Sequence, residues 1–223
     1  PRASRTVPFV SKATGIPVAN IASRVMAGEN LTAFNLISKN NKTYAVKEAV
    51  FPFNKLPEVD VILGPEMKST GEVMGFDDDF GMAFAKSQTS AGNSLPQKGS
   101  AFISVRDKDK EKILINAKKL IELGFKIFAT SGTAKYLISN NIKCNTVNKV
   151  DQGSPHIVEK INNGSIDLVI NTTEGTKSIS DSFSLRRSAL KNKIPYFTTV
   201  ASAKACVESI DSLKNNSLKI KAL

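Results

Sequence analysis

From Ala101 onward the chain repeats one pattern: a short apolar run, a turn, then a stretch with helical spacing. The runs are Ala101–Val105, Phe125–Ala129, Asn145–Val147, Asp167–Ile170 and Tyr196–Thr198. The stretches between and after them are Asp109–Leu123, Ala134–Asn140, Pro155–Asn162, Ser180–Lys191 and Ser202–Leu213. Ile113, Ala117, Leu120 and Ile121 share one face of the first stretch; Ile157, Val158 and Ile161 point inward from the third. Strict alternation of strand and helix predicts an α/β unit, a parallel sheet with helices on both faces. In such sheets ligands bind beyond the carboxyl ends of the strands.

The first half is irregular. Val18, Ile21, Ala22 and Val25 give Ser11–Gly28 a helical spacing. Tyr44–Phe53 and Val59–Leu63 read as strands, and Phe80–Ser87 as a helix. So few elements in about 90 residues read as part of an α+β domain. Thr89–Ser100 is rich in small, polar and breaker residues. It places a linker at 91–100, between a first unit at 1–90 and a second at 101–223.

The net charge of +11 invites a nucleic-acid reading, but the lysines are dispersed and no Trp is available for stacking. No apolar stretch approaches the length of a membrane span, so neither nucleic acid nor membrane is an expected partner. Cys144 and Cys206 lie far apart, which suits a reducing cytoplasm and no disulfide framework. With His156 as the only histidine, no metal site is expected.

Three of the strands run into hydroxyl-rich turns: Thr130-Ser131-Gly132-Thr133, Asn171-Thr172-Thr173-Glu174-Gly175 and Thr198-Thr199. Threonine hydroxyls and the free N–H groups of a helix start suit a phosphate, and Gly132 lets the backbone come close. Lys110 and Lys149 can supply countercharge. No G-x-x-x-x-G-K or G-x-G-x-x-G is present. His156 beside Pro155 reads as a structural residue at a helix start. Binding groups without an evident base point to a sensor.

Three segments carry a family resemblance: Pro1-Arg2-Ala3-Ser4-Arg5 continuing to Gly15, then Lys47-Glu48, then Gly64-Pro65-Glu66-Met67-Lys68-Ser69-Thr70-Gly71-Glu72 continuing to Gly75. They resemble the large chain of the carbamoyl-phosphate synthase family. The second half is similar to its C-terminal methylglyoxal-synthase-like regulatory domain, a Rossmann-like sheet. The resemblance implies a glutamine-hydrolysing ligase that makes carbamoyl phosphate for pyrimidine and arginine biosynthesis. It uses bicarbonate, ammonia from a small glutaminase subunit and two ATP, with Mg2+ or Mn2+ and K+.

Residues 1–90 then resemble the end of the second ATP-grasp unit, whose Arg2 and Arg5 match arginines near the transferred phosphoryl group. The family's metal-ligating Glu and Asn stand before Pro1, so this chain alone is expected to need no cofactor and to be inactive. Lys110, Thr130, Thr133, Lys149, Asn171 and Thr173 match its effector residues. They imply uridine or inosine monophosphate as ligand, with Lys110, Thr130 and Thr133 at the phosphate and the others toward the ribose. Glu48, Tyr196 and Thr198 match its ornithine site, although Pro195 stands where the family often has His. The rest of the large chain, and a second copy through the regulatory domain, are implied partners.

The alternative is a methylglyoxal-synthase-like lyase acting on dihydroxyacetone phosphate. Ser154 and Thr173 stand where its catalytic aspartates would be, so the required base is missing.

Overall fold

The computed structural model describes residues 4–36, 43–53 and 67–219. Two helices open it, α1 (Thr6–Thr14) and α2 (Val18–Met26). The expected single helix at 11–28 is broken at Gly15-Ile16-Pro17. Gly15 adopts φ +71°, a left-handed cap open to glycine at no steric cost. Neither helix buries a residue.

Two antiparallel strands follow, β1 (Tyr44–Val50) and β2 (Gly71–Asp77), with Val46 opposite Gly75. β1 stops short of the expected Phe53, β2 was not anticipated, and the expected strand at 59–63 lies outside the described residues. Helix α3 (Phe80–Ser90) extends past the expected end at Ser87, and Asp79 caps it by accepting from the Met82 N–H at 2.8 Å.

The second half carries the expected α/β architecture. Strands β3 (Gly99–Ser104), β4 (Phe125–Ala129), β5 (Asn145–Thr146), β6 (Leu168–Asn171) and β7 (Tyr196–Phe197) form a five-stranded sheet. Its order is β5-β4-β3-β6-β7, and every pairing is parallel. The helices are α4 (Lys110–Glu122), α5 (Ser131–Ser139), α6 (Ile157–Asn162), α7 (Thr176–Asp181), α8 (Phe183–Lys191) and α9 (Val200–Asn215). Several expected bounds shift by one or two residues, among them the start of α6 at Ile157, not Pro155. α5 starts at Ser131, so most of the supposed hydroxyl turn is helix. The single helix at 180–191 is two. α9 starts two residues earlier, under a Thr199 cap that accepts from the Ser202 N–H at 3.1 Å.

Side-chain alternation along the central strands builds two cores. Ala101, Ile103, Leu168 and Ile170 face Ile113, Leu120, Leu137, Cys206 and Ile210 of α4, α5 and α9. Phe102 and Val169 face Ile157, Ile161, Leu185 and Ala189 of α6 and α8. Phe84 and Ala85 of α3 join the first core, and so does Leu95 from the segment read as a linker. Among the described residues, no helix is long and apolar enough to cross a membrane.

Candidate functional site

The chain lays down β3, β4 and β5 in one direction, then crosses back to place β6 on the other side of β3. Loops leaving β3 and β6 therefore diverge, and a crevice opens between them. A cavity of about 960 Å3 occupies that place, the size of a small-molecule site. Phe102, Val105, Ile157 and Leu185 supply apolar wall. Ser104, Thr130, Thr133, Asn171, Thr172 and Ser182 supply hydroxyls and an amide, and Arg106, Lys108, Lys110 and Lys149 the cations.

The electrostatics centre on Lys110. It is the first residue of α4, a position where the helix dipole disfavours a cation. Its ammonium lies 3.7 Å from where a Cβ would stand on Gly132, in the first turn of α5. Thr130 follows β4 in extended conformation and is the N-cap of α5, but its side chain makes no capping bond. Two positive helix ends and an ammonium thus meet at one wall. The opposing charge is Asp107, whose carboxylate pairs with Lys110 at 2.7 Å. That pairing holds the Asp107 carboxyl below its usual value.

The other polar groups hold the walls. Thr130 Oγ1 lies 3.1 Å from Ser104 Oγ, and the Val105 N–H donates to Thr133 Oγ1 at 3.2 Å. Arg106 donates from Nε to Asp109 Oδ2 at 2.6 Å, and its backbone N–H donates to Thr172 Oγ1 at 3.1 Å. Burial would raise the Asp109 carboxyl, but the Arg106 guanidinium and the Thr172 hydroxyl outweigh it and hold it below the usual range. Asn171 Nδ2 donates to Tyr196 Oη at 2.9 Å and to Ser182 Oγ at 3.2 Å. Lys149 is exposed and forms no ion pair among the described residues.

Five of the six residues read as effector ligands, Lys110, Thr130, Thr133, Lys149 and Asn171, line this cavity. Thr173 is half-buried beside it and is not among the lining residues; its neighbour Thr172 takes that place. Glu48 stands on β1, where Gln88 Nε2 of α3 donates to it at 2.9 Å and burial pushes its carboxyl up. Tyr196 holds Asn171, and Thr198 is exposed just after β7. Arg5 is exposed at the start of α1, and Arg2 lies outside the described residues.

His156 caps α6: its Nδ1 accepts from the Glu159 N–H at 3.4 Å while Glu159 Oε2 accepts from the His156 N–H at 3.0 Å. Ser154 spends its hydroxyl on the same carboxylate. No group of three or more His, Cys, Asp or Glu able to hold a metal occurs among the described residues.

Sequence reasoning missed Ser104, Arg106, Asp107, Lys108 and Ser182. The first four follow or end β3. That strand end, Ser104-Val105-Arg106-Asp107-Lys108, has one hydroxyl and is charged, so it lacks the run of hydroxyls that singled out the other three.

Such a cleft, on a parallel five-stranded sheet, has relatives among known proteins. Residues 112–198 match the MGS-like domain family, and the sheet with its flanking helices is an MGS-like fold. Over its whole length the chain is 53% identical to the carbamoyl phosphate synthase large chain of Mesorhizobium japonicum and 50% identical to that of Archaeoglobus fulgidus. It covers 20% and 21% of those proteins. The large chain of Pseudomonas syringae pv. tomato is 56% identical over 94% of this chain and 20% of its own. The chain is thus a homologue of the carbamoyl phosphate synthase large chain. It spans about a fifth of those relatives' length, and the matches fit a C-terminal segment.

Proposed function

We propose that the cavity is the regulatory site of a carbamoyl-phosphate synthase large chain and that it takes a nucleoside monophosphate. Lys110, Thr130, Thr133 and the first turn of α5 hold the phosphate; Lys149 and Asn171, with Thr173 behind them, face the ribose. The carrying observation is the Lys110 ammonium beside the uncapped start of α5, two positive features at one wall that a bound anion stabilises. The ligase reaction, with glutamine-derived ammonia, ATP and its metal ions, belongs to the longer protein. This chain alone makes no carbamoyl phosphate, a reading supported by Arg5 standing exposed on a helix that buries nothing. Glu48, Tyr196 and Thr198 are proposed for ornithine.

Thermal unfolding with uridine and inosine monophosphates tests the reading. At about 100 times Kd, binding adds roughly 2.7 kcal/mol, and each kcal/mol moves Tm by about 2–4 °C in a chain of this size. Lys110→Ala and Lys149→Ala should both lose the shift. Lys110→Ala should also leave the ligand-free Tm unchanged or higher, because it removes a cation from two positive helix ends. No shift in a cooperatively folded wild type overturns the assignment.

A further inference from the structure

Two residues that line the cavity form an ion pair that the nucleotide reading does not use. Lys108, in the turn after β3, pairs with Glu174, in the loop after β6. Both line the cavity. Each side chain is 56% exposed, so the pair is solvated and adds little to stability.

Nor is the pair needed to hold the two loops together. Beneath it they are already joined, by the Arg106 N–H on Thr172 Oγ1 at 3.1 Å and by the Thr172 N–H on the Ser104 carbonyl at 3.0 Å. Lys110 likewise has a carboxylate of its own in Asp107, but that side chain is 95% exposed and free to swing into water. Glu174 differs. It lines the cavity from the loop after β6 and faces Lys108 of the turn after β3. An incoming phosphate must approach its charge, and like charges at close range repel.

We propose that Glu174 sets the affinity of this site: it is a built-in anion that keeps Lys108 from joining Lys110 at the ligand's phosphate. The inference rests on reading the cavity as an anion site. A phosphate monoester, with close to two negative charges, outcompetes one carboxylate for the ammonium. A singly charged diester or a neutral nucleoside does not, so the pair filters for monoesters.

Calorimetric titration of uridine monophosphate into the wild-type chain and its variants tests this. Glu174→Gln keeps the shape and removes the charge at an exposed position, so the variant folds. It should lower Kd by about 1.4- to five-fold, the range of an exposed pair. In a Lys108→Ala background the same change should gain less, because there is no ammonium left to compete for. An unchanged or higher Kd in Glu174→Gln overturns the proposal. If Lys149→Ala abolishes binding while Glu174→Gln changes nothing, the site reading stands and this inference falls. If neither wild type nor Glu174→Gln binds, both fall.

Discussion

Thr133 shows how one hydroxyl serves the site. The residue is 2% exposed, and its Oγ1 takes the N–H of Val105, the residue at which β3 turns into the cavity wall. Thr133→Val keeps the shape and leaves that N–H without a partner. The expected cost is about 1–3 kcal/mol in urea unfolding, with Thr133→Ser retaining most of the stability. Equal stability of Thr133→Val and wild type would show that the bond contributes nothing. The hydroxyls at Thr130 and Thr133 were legible because their residue types cluster after an apolar run. The pairing of Lys108 with Glu174 was not, because 66 residues separate them and only the β3–β6 ladder brings their loops together. Thr173 came from the family resemblance; spacing alone cannot say which of two adjacent threonines faces the cavity.

At the level of elements, β2, α3 and α9 meet backbone to backbone. A Cβ on Gly75 of β2 would lie 1.8 Å from the Ala83 carbonyl oxygen, and one on Gly81 of α3 would lie 2.7 Å from the Glu208 carbonyl oxygen of α9. Neither neighbour can yield without moving a helix. Gly75→Ala should therefore lower stability by at least about 1–3 kcal/mol. Gly71→Ala, on the same strand with open space around it, should change little. A similar urea midpoint for both variants would refute the close-packing account. Gly75, which permits the β2–α3 contact, also helps to hide β2 in the sequence. Gly71-Glu72-Val73-Met74-Gly75-Phe76-Asp77 has weak strand propensity, and its pairing with β1 decides the outcome. The break between α1 and α2 is visible as Gly15 and Pro17, but the expected helix extends the apolar spacing of Val18–Val25 back across it.

Across the whole molecule, burial is uneven. The central sheet strands and α9 contribute fully buried residues to the cores, whereas α1 and α2 contribute none. Opening free energy follows burial. Amides in α1 and α2 should exchange with deuterium well before those of β3, β6 and α9, and α3 should exchange with the sheet whose core it shares. Exchange of α3 at the pace of α1 would mean that the shared core does not act as one unit. The parallel architecture was legible because strand and helix alternate with fixed periods. The membership of α3 in that core was not, because the polar segment after it resembles a spacer while burying Leu95.

The strand lengths have a consequence for self-association. The outermost strands of the five-stranded sheet, β5 and β7, are two residues long. Such margins present almost no unpaired backbone for another chain to dock against. The β1–β2 ribbon is different: each of its strands runs seven residues, and among the described residues each pairs on one side only. If this chain recruits a foreign strand, natively or in aggregates, the ribbon is where the backbone is available to do it.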